Sequence, residues 1–377
     1  MLEIIFWFSV VFIFYAYAGY PLLLKAFSLL RSRSLQKGSF LPFASLIITA
    51  YNEEKRIEAK LKNSLEQDYP KEKLEIIVAS DCSSDKTDQI VLSHRSTGIR
   101  LVRATERKGK ENAQKYAVER ASGEILVFSD VATVLDPNGV RKMIENFNDP
   151  TVGCVSSVDR FIDLDGKVSG EGAYVRYEMF LRGLESRINS VVGLSGSFFA
   201  ARKEVCQNWA IDLQSDFNTL FNSIKMGLRG VSDPESIGYY KNITDEKKEF
   251  ERKVRTVLRG ISVFMKSLSL LNVFRYGLFS WQLFSHKLCR WLVPFAMISA
   301  FFSNALLVSG STFYFYTFWF QVFFYVVAFG GIGTDLASRK YYLKIPSFFI
   351  LVNLSILKAW YWYAKGERVM VWEPSKR

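Results

Sequence analysis

The chain is 377 residues long, 49% hydrophobic and 15% aromatic, with a net charge of +12. Its length fits about two domains, and its apolar content exceeds what one soluble core uses. Cys82, Cys154, Cys206 and Cys289 are widely separated and form no C-x-x-C pair, which favours a reducing compartment and speaks against a disulfide frame or a zinc site. No zinc-finger spacing, RNP aromatic pattern or basic heptad array is present, so no nucleic-acid partner is expected; the charge fits lipid headgroups or a phosphorylated substrate.

The first element is an uncharged run of 21 residues, Ile4 to Leu24. It is long for a signal-peptide core and no A-x-A site follows it, so it reads as a membrane span. Arg31, Arg33 and Lys37 follow this span, and Lys287 and Arg290 precede the next apolar block. By the positive-inside rule, the middle of the chain is then the cytoplasmic domain of an integral protein of the cell inner or plasma membrane.

Strands and helices alternate between residues 44 and 130. ASLIITAYN (44–52) reads as a strand and EEKRIEAKLKNSLEQ as a helix with Ile57, Leu61, Ser64 and Leu65 on one stripe. KLEIIVASD (73–81) is a second strand, SDKTDQIVLSH opens a helix with acidic and hydroxyl residues in its first turn, and IRLVRA is a third strand. KGKENAQKYAVERA is helical and GEILVFSD is the fourth strand. The alternation predicts an α/β domain with a mostly parallel sheet, covered on both faces, whose ligand site lies at the carboxyl ends of the strands.

Residues 266–290 read as an interfacial amphipathic segment in which His286 sits at the membrane surface beside Lys287 and Arg290. From Trp291 to Thr334 there are 44 uncharged residues, enough for two spans with SGST (309–312) as the turn. Ile345 to Leu357 continues past Lys358 into AWYWYA and spans if Lys358 snorkels or faces protein. Arg339, Lys340 and Lys344 favour the inside, and so does the tail with Lys365, Arg368, Lys376 and Arg377, which conflicts with a fourth full crossing. A re-entrant or interfacial last segment and an additional crossing elsewhere both fit. The resulting organisation is a span (1–30), a cytoplasmic domain (31–265), the interfacial segment (266–290) and a C-terminal membrane region with two or three segments (291–377).

Asn52 and Glu53, Asp81, and Asp130 fall at the carboxyl ends of three different strands, so they gather along one sheet edge. Acids there can accept hydrogen bonds from a ribose or base, or ligate a hard cation that carries a diphosphate. Lys110 follows a glycine at a strand-to-helix turn, where an ammonium and backbone N–H groups favour phosphate oxygens. Together they describe a nucleotide-diphosphate pocket; neither G-x-x-x-x-G-K-[ST] nor G-x-G-x-x-G is present, so it is neither a P-loop nor a Rossmann dinucleotide site.

SLIITAYNEE, ASDCSSDKT, RKGKENA, GEILVFSDVAT, VGLSGSFFAARKE, SDFNTLFNSIKMGLRGVSDPES and RKVRTVLRG resemble the successive motifs of family 2 glycosyltransferases, in the membrane-embedded, cellulose-synthase-like branch. The likeness covers about residues 44–300, and WQLFSHKLCRWLVP and VWEPSKR extend it into the membrane region. It implies a GT-A fold, a nucleotide-sugar donor such as a UDP-sugar, and an inverting transfer. Asp81 resembles the aspartate that reads the base, with Ala50, Tyr51 and Glu53 lining the same pocket, and Lys110 resembles the pocket lysine. Asp130 resembles the first aspartate of the D-x-D motif, which holds the nucleotide sugar and its divalent cation, Mg or Mn. Ala132 stands where the family usually has Asp or Asn and cannot ligate a metal, so a cation would be held through Asp130, donor phosphates and water.

Asp216 resembles the family's catalytic base, which takes the proton from the acceptor hydroxyl; a carboxylate of ordinary pKa is already ionised for that task. Asp212, four residues earlier, reads as a surface aspartate. Arg252, Arg255 and Arg259 share one helix face, where the family has Q-x-x-R-W: Arg252 takes the glutamine position on the donor side, and Arg255 takes the arginine position, neutralising the departing diphosphate. Thr256 replaces the tryptophan that helps processive synthases hold the acceptor, which weakens the case for a long polymer. Gly196 lets backbone approach a ligand closely and fits an acceptor wall.

The resulting expectation is a membrane hexosyltransferase acting on a growing polysaccharide or a membrane lipid. Three or four spans are few for a channel within one chain, and a homo-oligomer would add walls. The competing reading is a non-catalytic nucleotide-binding membrane scaffold of the same fold, to which Ala132 and Thr256 point.

Overall fold

The run Ala44–Ala50 alternates Ala44, Leu46, Ile48 and Ala50 on one face with Ser45, Ile47 and Thr49 on the other, and every residue in it is buried, as in a central strand covered on both sides. The computed structural model describes residues 1–162, 173–241, 246–332 and 341–368; Arg339, Lys340, Lys376, Arg377, the VWEPSKR stretch and the side chain of Lys344 lie outside that description. The chain divides into two units: a sheet unit formed chiefly by Phe27–Asn242 and Lys266–Phe279, and a helical unit formed by Met1–Ala26, Ile243–Met265 and Ser280–Arg368.

In chain order the elements begin with α1 (Leu2–Phe14), a π turn (Tyr15–Gly19) and α2 (Tyr20–Leu30). The sheet unit follows with β1 (Ala44–Ala50), α3 (Ile57–Leu65), β2 (Leu74–Ser80), α4 (Thr87–Ser93), β3 (Ile99–Arg103), α5 (Lys110–Arg120), β4 (Ile125–Asp130) and β5 (Val134–Leu135). It continues through α6 (Gly139–Glu145), β6 (Val152–Ile162), α7 (Ala173–Ile188), β7 (Phe198–Arg202), α8 (Ser215–Lys225) and β8 (Arg229–Lys241). The alternating pattern in the sequence matches the observed elements up to β4, with ends differing by at most four residues.

The sheet order is β3-β2-β1-β4-β7-β6-β8-β5. β3, β2, β1 and β4 are mutually parallel. β7 runs antiparallel to both β4 and β6, β6 is parallel to β8, and β5 is antiparallel to β8. The expected mostly parallel sheet is therefore a mixed one: its first half is parallel because each strand is followed by a crossover helix, and its second half reverses at β7. Ala50 registers with Ser80, and Thr49 with Asp130, so the first residues beyond β1 and β2 and the last residue of β4 reach one edge together.

One face of the sheet packs Leu46, Ile48, Val78 and Val127 against Ile57, Leu61, Val91, Val140, Met143 and Phe147 in a single buried cluster. On the other side Phe128 stacks between Phe199 and Trp209, at ring-centre distances of 4.7 and 5.0 Å. Each such fully buried side chain is worth roughly 1.5–3 kcal/mol relative to exposure.

The helical unit contains α9 (Glu246–Met265), and after α10 (Val273–Tyr276) the chain returns to it through α11 (Leu278–Leu283), a second π turn (Phe284–Leu288), α12 (Cys289–Leu307), α13 (Thr312–Gly331) and α14 (Tyr341–Ala364). Among the described residues, four helices are long and apolar enough to cross a membrane: Leu2–Leu30, Leu278–Leu307, Thr312–Gly331 and Ile345–Ala364. The second begins 13 residues ahead of the uncharged run because it takes His286, Lys287 and Arg290 into its length. His286, expected at the membrane surface, is instead buried, with its ring 6.0 Å from Tyr20. The turn lies where SGST placed it, and Ser311 caps α13 by accepting from the Phe313 N–H at 3.2 Å. Lys358 is accommodated inside the last helix because its ammonium lies 4.9 Å from the Trp362 ring and 5.4 Å from Phe250. Residues 246–265, placed by sequence in the cytoplasmic domain, pack in the helical unit through the apolar stripe Val254, Leu258 and Ile261, all buried. Within 266–290, Val273 and Phe274 are exposed, Phe274 completely.

Candidate active site

Three strands end at the edge that the β1 register defines. Asp81, the first residue beyond β2, is completely buried. Its carboxylate accepts the backbone N–H of Lys108 at 3.2 Å and of Gly109 at 2.9 Å. Burial pushes its carboxyl above the ordinary range, and those two donors act against the rise. Next to it the loops after β1 and β2 are laced together. Ser84 N donates to Asn52 Oδ1 at 2.8 Å, Glu53 N to Thr87 Oγ1 at 2.7 Å, and Glu54 N to Asp85 Oδ2 at 3.0 Å. Asn52 and Cys82 have φ of 52° and 58°, a left-handed conformation that costs non-glycine residues energy and is held here by this lacing. The Arg107 guanidinium stacks 4.0 Å over the Tyr51 ring.

Glu53 is nearly buried and engaged in both carboxylate oxygens by Arg56, at 2.7 and 2.9 Å. Burial raises its pKa against the pull of Arg56. Glu53 is thus engaged within its own loop, Ala50 and Asp81 are completely buried beside it, and Tyr51 is half-buried.

Lys110 begins α5 and sends its amine to Asp130 Oδ1 at 2.5 Å and to the Gly196 carbonyl at 2.7 Å. The Asp130 N–H donates to the Ser197 carbonyl at 3.0 Å. Gly196 in turn lies against the base candidate: a methyl group at Gly196 would sit 3.4 Å from Asp216 Oδ2. Asp216 is nearly buried in the first turn of α8, where the helix dipole favours a negative charge, and Gln214 Nε2 donates to it at 3.2 Å. Lys110, Asp130, Gly196 and Asp216, spread over 107 positions of sequence, thus meet in one place. Asp212 pairs with Lys266 at the exposed surface and does not join them.

Arg252 and Arg255 belong to α9 in the helical unit, and Arg252 is paired with Glu249 at 2.8 Å.

The motifs did not announce Lys60. It is buried, and its amine donates to Ser129 Oγ and to the Thr133 carbonyl, both at 2.7 Å, clamping the two ends of the Asp130 loop. Burial lowers its pKa to about 7, while the charge of Asp130 acts in the opposite direction. Its place three residues after Ile57, on the apolar stripe of α3, is the signal that would have found it.

A divalent cation meets a sparse donor set. Among the described residues no three His, Cys, Asp or Glu side chains stand together for one. One Asp130 oxygen is taken by Lys110 and Ala132 offers none. The arrangement fits a cation that arrives with a diphosphate and its own waters and needs one protein oxygen; it does not fit a resident metal centre.

Residues 45–209 match the family described as glycosyl transferase family 2. The poly-beta-1,6-N-acetyl-D-glucosamine synthase of Staphylococcus aureus (strain COL) is 29% identical over 195 residues, 49% of this chain and 46% of that protein. The synthase of the same name from Staphylococcus epidermidis is 28% identical over 178 residues, 45% of this chain and 42% of that protein. The chain thus spans about half the length of the curated relatives it matches. Among solved structures, the mannosyltransferase PcManGT from Pyrobaculum calidifontis, in complex with GDP-Man and Mn2+, superimposes with a TM-score of 0.76 over 98% of this chain and 100% of that one, at 23% identity. The fold is GT-A-like, a mixed α/β sheet domain carried with helices apolar enough to span a membrane at both ends. Residues 45–209 are thus similar to glycosyl transferase family 2, and the chain is related in sequence to polysaccharide synthases.

Proposed function

We propose that the protein is an inverting hexosyltransferase that moves a sugar from a nucleotide-sugar donor to a glycan or lipid acceptor at the cytoplasmic face of a membrane. One observation carries the reading: the Lys110 amine bridges Asp130 and the Gly196 carbonyl while Gly196 itself abuts Asp216, so a phosphate-binding cation and a general base share one site. The synthase relatives support a hexosyl donor, and the GDP-Man and Mn2+ of the Pyrobaculum enzyme support a nucleotide sugar with a divalent cation.

In this reading Asp81 accepts hydrogen bonds from the nucleobase, flanked by Ala50 and Tyr51. Lys110 would hold the diphosphate and Asp130 its cation, Mg or Mn, which when bound would neutralise charge on the phosphates. The acceptor hydroxyl reaches the anomeric carbon past Gly196, where no side chain obstructs it, and Asp216 takes the hydroxyl proton as the new C–O bond forms. The bond to the diphosphate breaks with its electron pair leaving on the nucleoside diphosphate, and a single displacement inverts the anomeric centre. Arg252 and Arg255 keep a proposed share in neutralising that charge on the strength of their place in the sequence motif. The Arg31, Arg33 and Lys37 cluster supports the cytoplasmic placement.

The test supplies membranes containing the full chain with labelled UDP-N-acetylglucosamine, UDP-glucose and GDP-mannose, and follows label into lipid extract, polymer and free sugar. Label in lipid or polymer that disappears with Asp216→Asn is the expected result. No transfer and no donor hydrolysis with any of them, alongside retained nucleotide binding, would instead favour the scaffold to which Ala132 and Thr256 point.

A further inference from the structure

The segment Ser195–Gly196–Ser197 touches three of the candidate site's residues. Its Gly196 carbonyl accepts from Lys110, its Ser197 carbonyl from the Asp130 N–H, and its Gly196 Cα faces the Asp216 carboxylate. The Asp130 N–H bond extends the β4–β7 ladder by one backbone point, whereas the Lys110 amine and the Asp216 carboxylate are groups that must also engage substrate. What anchors the segment further is a set of side chains on β6 and β8. Ser195 Oγ donates to Asp159 Oδ1 at 2.7 Å, the Tyr240 hydroxyl to the same oxygen at 2.9 Å, and Ser157 Oγ to it at 3.3 Å. Ser197 Oγ donates to the Tyr240 hydroxyl at 2.8 Å, and Ser195 N to Ser156 Oγ at 2.8 Å.

Both serines that flank Gly196 are therefore tied to one carboxylate oxygen, Ser195 directly and Ser197 through the Tyr240 hydroxyl. Asp159 and Gly238 are paired neighbours across β6 and β8. A side chain at Gly238 would meet the Tyr240 hydroxyl at 3.0 Å, so glycine there leaves room for the phenol. Tyr240 is buried, and burial together with the Asp159 charge raises its pKa well above the ordinary value, keeping the hydroxyl proton that Asp159 accepts.

We infer that Asp159, acting with Tyr240, is a positioning residue for the transfer reaction: it fixes the Ser195–Ser197 segment and through it the mutual placement of Lys110, Asp130 and Asp216. Its effect is on alignment at the reacting centre, where a displacement of about 1 Å can cost on the order of 100-fold in rate. The three hydrogen bonds converge on Oδ1, so an asparagine that keeps an oxygen there preserves the geometry, whereas alanine removes it.

The kinetic arm rests on the proposed transferase reading; a second arm does not. In the full chain in lipid nanodiscs, with whichever of UDP-N-acetylglucosamine, UDP-glucose or GDP-mannose the wild type uses, Asp159→Ala and Tyr240→Phe should lower kcat roughly 10- to 100-fold with donor KM within about twofold, and Asp159→Asn should restore most of kcat. In the second arm, amide hydrogen exchange should accelerate in peptides covering 128–133 and 195–199 in Asp159→Ala and Tyr240→Phe, return in Asp159→Asn, and leave Lys108 and Gly109 unchanged. A kcat and exchange pattern like wild type in Asp159→Ala would overturn the inference. So would exchange that rises evenly across the sheet, which marks a purely structural role, or a raised KM at unchanged kcat, which marks a substrate contact. Wild-type protein that transfers no sugar defeats the transferase reading, and the exchange arm still decides this one.

Discussion

The two halves of the sheet place their functional groups by different means. In β3-β2-β1-β4 the strands are parallel and in register, and Asp81 and Asp130 reach the site because each sits at a strand end that the register aligns. In β7-β6-β8-β5 the directions are mixed, and β6 against β8 slips register twice, between Val152 and Cys154 and between Ser156 and Val158. There the functional groups come from a loop before β7, from the first turn of α8 and from a ribbon whose side chains hydrogen-bond sideways into that loop. Strand register aligns the ends of the half proposed to hold the nucleotide, and side-chain hydrogen bonds then lace its loops; in the half proposed to meet the acceptor, side-chain hydrogen bonds place the loop itself.

That contrast can be broken at four points. Asp216→Asn should cost about 10²–10⁴ in kcat, the range of a general base, with donor binding near wild type by titration calorimetry; a variant that keeps its turnover would remove the base from the mixed half. Arg229 and Asp149 form a buried ion pair at 2.8 Å, with side-chain exposures of 3% and 7%. Arg229→Ala strands the carboxylate in the mixed half and should lower stability by roughly 3–5 kcal/mol in urea denaturation. On the parallel side, Asp130→Ala should raise the donor KM by about tenfold or more, the effect of losing a charge-assisted hydrogen bond, with a smaller loss of stability than Arg229→Ala because Lys110 keeps the Gly196 carbonyl; a loss as large as that of Arg229→Ala would mean that Asp130 holds the fold as well as the donor.

The smallest effect concerns Lys60. Its amine is lowered to about 7 in the folded protein, against about 10.4 in an unfolded chain. Between those values the unfolded chain binds a proton that the folded one lacks, so folding stability rises with pH, by at most about 1.4 kcal/mol per unit. Below about pH 7 both states are protonated and the slope disappears. Lys60→Met should flatten the rise measured at pH 7, 8 and 9, and equal slopes in the two proteins would show that the amine titrates normally.

The same contrast explains what could be read from the residues alone. Between 44 and 130 the apolar periodicity, the turn residues and the acids at strand ends all agree, so the order of strands and helices and the convergence of Asp81, Lys110 and Asp130 were legible. Beyond 130 the sequence offered motifs without a periodicity that fixes strand direction. SGSFFAAR contains a strand, but nothing local states that β7 runs against β4, because direction is decided by partners far away in the chain. Asp159 and Tyr240 were invisible for the same reason: they are 81 positions apart and become neighbours of Ser195 only through that sheet. Lys60 was hidden by its chemistry, since a lysine on a helix reads as solvated until its burial is seen. The apolar lengths of the membrane helices were legible, while the inclusion of His286 and Arg290 in the second was masked by their charge.

The seam between the halves is a single antiparallel ladder in which Ile125 through Ser129 pair with Arg202 through Phe198. Lys110 and Asp130 lie on one bank of it, and Gly196 and Asp216 on the other. Because one buried cluster spans both banks, parting this ladder would separate the proposed donor and base groups and open the core together, so a ligand that touches both banks should raise the melting temperature of the whole sheet unit.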